Sequence, residues 1–235
     1  MKRWISTIAN LGVTLLIVAL LLPLQYQRFQ DLTRQKAINE AAEQQRLIGE
    51  AARLKSLKYV PGFGFDALIA DWTLLNFLNY FGDDALRTKT GYQLSPEYFE
   101  VILDRDPYFW EAYFFLSTST SLYAGMPDRT VAIFNDRLKL LTPFLPPESY
   151  LLWRYKATDE LLFLGDSQAA KSSYQMGAQW AKKNGSPEAL DSANLYQQSI
   201  DFLNQDPNSL NAQISAWGSI LSNAVDNKTQ KDRKS

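Results

Sequence analysis

Residues 165–178 read GDSQAAKSSYQMGA, and their spacing decides the fold. Gly165 opens a turn, the small Ala170 stands five positions on, the aromatic Tyr174 four later and the small Gly177 three after that. Residues three and four apart share one face of a helix, so this order offers a close-packing stripe to a neighbouring helix. The same order recurs more loosely upstream. Gly125 is followed by Thr130, Phe134 and Pro143, and Gly91 by Ser95, Phe99 and the pair Asp106-Pro107. Gly91 and Gly125 lie 34 residues apart, and Gly125 and Gly165 lie 40 apart.

Working outward from these turns, helical segments are predicted over Phe65–Phe81, Ser95–Asp104, Tyr108–Ala124, Pro127–Leu141, Glu148–Leu164, Ser167–Lys183, Pro187–Asn204 and Ser209–Val225. Each is separated from the next by Gly, Pro, Asp or Asn, and no β alternation competes. About four antiparallel helix pairs of roughly 35–40 residues predict an all-α chain in the form of an α-solenoid, spanning 60–225. The Gly165–Ala178 pattern and its copies resemble the second half of a tetratricopeptide repeat, over roughly 65–183. Arg137 departs from it, standing where the repeat carries a small residue, and the Trp-Leu-Gly-Tyr pattern of the repeat's first helix is not cleanly reproduced. The stretches DALIADWTLLNFLNYFG (66–82) and DRDPYFWEAYFFLSTSTSLYAG (104–125) are also similar to uncharacterised bacterial and cyanobacterial membrane-anchored tetratricopeptide-like proteins. That resemblance implies a groove lined by the first helix of each pair, suited to capturing a protein segment. It identifies no particular ligand.

At the N-terminus, Lys2-Arg3 precede an uncharged run from Trp4 to Leu24, WISTIANLGVTLLIVALLLPL. Such a run, about twenty residues long, spans a hydrocarbon core of about 30 Å, so residues 1–24 are predicted to be a transmembrane signal anchor. A cleaved signal peptide is the competing reading, although no small-x-small site follows Leu22-Pro23-Leu24. With the N-terminus inside, the domain would face the periplasm or lumen of a bacterial inner or thylakoid membrane. Residues 25–59 lack proline, are rich in Gln, Ala, Glu, Arg and Leu, and predict a helical stalk of about 50 Å. Its apolar positions form a thin seam that would support weak self-association at most. Val60-Pro61-Gly62-Phe63-Gly64 is the expected boundary of the folded domain, and 226–235 a disordered basic tail.

Composition bounds the chemistry. The 235 residues contain no histidine and no cysteine, which excludes Ser-His and Cys-His nucleophiles, thiolate or imidazole zinc sites and His-ligated haem. No nucleotide-binding glycine motif is present, and no cofactor is expected. Residues 60–225 carry 11 Lys/Arg against 19 Asp/Glu, a poor host for nucleic acid.

The expected partner is a membrane-associated protein. On the first-helix faces the candidate contacts are Glu111, Phe114, Phe115 and Thr118, followed by Leu152, Tyr155, Lys156 and Asp159, with Asn76 and Asn79 as further surface amides. Aromatics with a few acids suit an amphipathic or apolar segment rather than a C-terminal carboxylate. In the first segment Asp66, Thr73, Asn76 and Tyr80 fall in one polar arc, whereas Asp71 lies among Phe65, Leu68, Ile69, Trp72, Leu75 and Leu78. Asp71 is therefore expected to be a buried carboxylate, protonated, hydrogen-bonded or paired with Arg87, Arg105 or Arg154. Asp159 and Glu160 are adjacent and point about 100° apart, a poor dyad. The Ser117–Ser121 run reads as a close-packing stretch. These features point to a scaffold, assembly factor or accessory subunit of a membrane complex; the alternative is a carboxylate-dependent, glycan-active hydrolase using the groove as its cleft.

Overall fold

A computed structural model of the chain describes Leu22, residues 40–205, Leu210, Gln213 and Ile214. The predicted anchor apart from Leu22, residues 25–39 of the stalk, most of the Ser209–Val225 segment and the basic tail lie outside these residues. Among the described residues no helix is long and apolar enough to cross a membrane. The chain divides into two compact units, 1–45 and 46–235, and the architecture below is that of the second.

The described residues are all-helical: α1 (Glu40–Leu57), α2 (Asp66–Gly82), α3 (Asp84–Thr90), α4 (Ser95–Arg105), α5 (Trp110–Leu116), α6 (Pro127–Arg137), α7 (Ser149–Thr158), α8 (Ser167–Asn184) and α9 (Pro187–Gln205). Sequence chemistry places the ends. Proline opens α6 and α9 and stands at the start of α4, where no helical partner for its missing N–H is needed. The Asp166 carboxylate accepts from the Ala169 N–H at 2.8 Å and caps α8. The short α3, between Phe81 and Gly91, was not foreseen from the sequence.

Aromatic pairs join several of the packed helices. Phe77 meets Phe99 across α2 and α4 (4.6 Å between ring centroids), and Tyr113 meets Phe134 across α5 and α6 (5.5 Å). Trp153 meets Trp180 across α7 and α8 (5.4 Å), and Tyr174 meets Tyr196 across α8 and α9 (6.0 Å). Gly91, Gly125 and Gly165 have φ of 66°, 67° and 70°, the left-handed conformation that a side chain would strain. Five residues beyond the last two glycines, Thr130 and Ala170 are fully buried, as is Ser95 four beyond Gly91. At Gly177 an added Cβ would lie 3.1 Å from both Trp153 Cβ and the Tyr196 ring, so α8 approaches α7 and α9 closely there.

The stalk prediction needs correction at its C-terminal end. Leu54 of α1 is fully buried in the main core, and Leu47 and Leu57 pack against that core. The Glu50 carboxylate accepts from the Tyr98 hydroxyl at 2.5 Å and is held by Arg53, which lowers its pKa. Lys58 pairs with Glu100, and the Arg105 guanidinium donates to the carbonyls of Leu57 and Val60. The compact unit therefore begins at Arg46, before the Pro61-Gly62 break. That break turns the chain into α2 and does not release it.

Candidate functional site

The helices α5 and α7 are in contact. Glu111, Phe114, Phe115 and Thr118 follow the i, i+3, i+4, i+7 rule of one helix face. Phe114 is 48% exposed and its ring stands 5.8 Å from that of Tyr155, edge to face, and 5.7 Å from Phe115. The Arg154 guanidinium lies 5.3 Å from the centre of the Tyr155 ring. Glu111 and Arg154 are exposed, and Thr118, Phe115 and Tyr155 half-buried. This makes a small aromatic platform with an acid at one edge and a guanidinium at the other. Arg154 was foreseen only as an ion-pair partner for Asp71.

The other three α7 candidates point inward. Leu152 and Asp159 are fully buried and Lys156 nearly so, because α7 is packed by both α5 and α8 and has little free circumference. Lys156 Nζ donates to Glu160 Oε1 at 2.5 Å and to Ser173 Oγ at 2.8 Å, while Ser173 Oγ donates to Glu160 Oε2 at 2.6 Å. A buried charge pair with its remaining valences satisfied in this way clamps α7 to α8 and is not open to a partner.

Asp159 faces the other side. The α5 helix continues into a π-helical turn, Ser117–Tyr123, and α7 into a second, Asp159–Phe163. The register repeats: Met126 N–H donates to Thr120 O and Asp166 N–H to Glu160 O, both at 2.8 Å, over Gly125 and Gly165. Ser119 thus stands to Gly125 as Asp159 stands to Gly165. Burial pushes the Asp159 carboxyl up to about 7; the facing hydroxyls of Ser117 and Ser121 oppose this and the Glu160 charge adds to it. Those hydroxyls are near neighbours, but neither closes a well-formed hydrogen bond on the carboxyl oxygens. Ser121 Oγ instead donates to Thr130 Oγ1 at 2.9 Å. The common spacing of Ser119 and Asp159 from their glycines was available in the sequence.

On α2 the expected faces are exchanged. Asp71 is exposed, not buried, and Phe65, Leu68, Trp72 and Leu75 are all more than half exposed beside it. Thr73 and Tyr80, assigned to the polar arc, face the core instead. The Thr73 hydroxyl donates to Ile69 O at 2.7 Å, and the Tyr80 hydroxyl accepts from Leu94 N–H at 3.1 Å. None of the three arginines proposed for Asp71 is needed there. Arg87 donates to Gly91 O at 2.8 Å and lies 3.9 Å over the Tyr80 ring, Arg105 pairs with Asp66 at 2.6 Å, and Arg154 covers Tyr155. Asn76 and Asn79 donate to Trp72 O and Leu75 O of their own helix, at 2.7 and 3.1 Å.

Among the described residues no cluster of three or more Asp or Glu could hold a metal ion. A cavity of about 350 Å³ lies between α8 and α9, lined by Leu161, Tyr174, Leu195, Gln198, Ser199, Phe202 and Leu203; its wall carries no carboxylate. No family model matches the chain, and no curated protein or solved structure does either.

Proposed function

We propose that the chain is a membrane-anchored protein-interaction scaffold, an assembly factor or accessory subunit of a membrane complex. In this reading a degenerate tetratricopeptide-like solenoid of about four helix pairs, carried by an N-terminal signal anchor, holds a segment of a membrane-associated partner against its first helices. The observation that carries the reading is the half-exposed platform of Phe114, Phe115 and Tyr155, flanked by Glu111 and Arg154. Aromatic side chains at the centre of a patch, with charges at its rim, are the usual energetic anchors of protein interfaces. Leu152, Lys156 and Asp159 take no part, being structural. Asp159 and Glu160 address different neighbours across α7, an arrangement that gives a hydrolase no shared cleft.

Crosslinking from the intact membrane, followed by mass spectrometry, tests the proposal. Replacing Phe114 and Tyr155 together by serine should remove the captured partner while thermal denaturation stays cooperative. An equally folded variant that captures the same proteins as wild type would refute the assignment of this face.

A further inference from the structure

We propose that the outer face of α2 is a second docking site, and that its occupant is an amphipathic helix of a partner protein with a basic flank. The surface is distinct from the Phe114 platform. Phe65, Leu68, Trp72 and Leu75 stand more than half exposed along it, with Asn79 exposed at its end. Their spacing alternates threes and fours, which is the seam into which a second helix fits knobs into holes. The inner face of the same helix is already satisfied: Ala70, Thr73, Phe77 and Tyr80 are buried. A helix that is apolar all round is normally covered all round, and the end unit of a helical array normally turns a polar face outward. This one does neither.

Charge selects among occupants. From Tyr59 to Asp83 the sequence has no lysine or arginine. Asp71 is exposed beside Trp72 on the flank of the seam; Asp66 is paired with Arg105, and Asp83, exposed at the helix C-terminus, accepts from the Leu86 N–H and caps α3. Two copies of this face would bring carboxylates together, and an anionic bilayer would meet its own sign. A helix with an aliphatic seam and Lys or Arg on the adjoining positions presents what Asp71 lacks. Asn79, in a seam position, would fix the register of the pair.

The test uses the full-length chain in phosphatidylcholine nanodiscs. The probes are two fluorescent three-heptad peptides with the same leucine seam, one flanked by lysines and the other by glutamates. Anisotropy titrations should show the lysine peptide binding about fivefold or more tighter, the ratio expected for turning flank repulsion into attraction. Asp71→Lys should reverse that preference. Trp72→Ser with Leu75→Ser should abolish binding of both peptides without lowering the thermal midpoint, since neither side chain is buried; if that pair fails to fold, the Asp71→Lys reversal decides alone. Equal affinities, or no binding of either peptide, would overturn the proposal. Dimerisation abolished by the serine pair would assign the face to a second copy. A nitroxide at position 75 that reports lipid contact without peptide would assign it to the bilayer. Either result refutes the partner helix.

Discussion

Asp159→Asn should change the pH dependence of stability more than its value at any single pH. The carboxyl is fully buried, and burial lifts its pKa from 3.8 to about 7. The hydroxyls of Ser117 and Ser121 face it from the π turn that continues α5, Glu160 is its neighbour in the turn that continues α7, and the buried cation of α7, Lys156, is committed to Glu160. Below about pH 4 the group is protonated in both the folded and unfolded chain and costs nothing. Between pH 4 and 7 the folded protein retains a proton that the unfolded chain has released, so stability falls as pH rises, by about 1.4 kcal/mol per unit. Over roughly three units the loss reaches about 4 kcal/mol, and it is flat above pH 7. Asparagine keeps the shape and removes the ionisation. Its amide hydrogens can be accepted by the hydroxyls of Ser117 and Ser121, which face the carboxyl. Urea denaturation of wild type and variant, followed by circular dichroism, should give curves within about 1 kcal/mol of each other at pH 4.5 and a variant more stable by several kcal/mol at pH 8. Subtracting the two profiles cancels the titration of all other groups. Parallel profiles would mean that Asp159 ionises in the folded state at no cost and would refute the argument.

Two further predictions concern the packing. Leu54→Ala should lower the stability of the helical domain by about 2–5 kcal/mol, because Leu54 is fully buried in the core; an unchanged urea midpoint would return the whole of α1 to a free stalk. Ala170→Leu should cost about 1–3 kcal/mol by overpacking the contact with Ala157 and Leu203, whereas Lys171→Ala, at a half-exposed position bonded to Asn204, should cost under about 0.5 kcal/mol. Similar midpoints for those two variants would remove the register assigned to the α8 stripe.

That register was legible in the sequence because it is local. A positive φ at Gly91, Gly125 and Gly165 fixes each turn, and the residue four or five positions on must then sit where two helices meet. Phe99, Phe134 and Tyr174 follow one helical turn later and all engage rings of a neighbouring helix. Charge was a poorer guide. In α1, Leu54 lies between the charged residues Arg53 and Lys55, and Tyr98, distant in sequence, gives Glu50 a reason to face inward. In α7, Lys156 and Asp159 read as exposed because such residues usually are. Glu160 and Ser173 satisfy the lysine inside the protein, and nothing in the local spacing announces Ser173 as a partner.

The reversal on α2 has a more general cause. Periodicity locates a face only when a helix has one apolar side, and α2 has apolar side chains at nearly every angle. The choice then fell on polar residues, with Asp71 read as buried among apolar neighbours and Thr73 and Tyr80 read as exposed. The structure inverts this, since a hydroxyl can be carried into a core at little cost when a carbonyl or N–H is there to meet it. Thr73 has Ile69 O, and Tyr80 has Leu94 N–H. A carboxylate on α2 needs a cation, and Arg105, which supplies one, is taken by Asp66. Asp71 therefore stays in water, and Phe65, Leu68, Trp72 and Leu75 stay on its side of the helix. The polar atoms that could be satisfied went inward, which left the bare apolar arc outside with the one acid that a partner's lysine or arginine would neutralise.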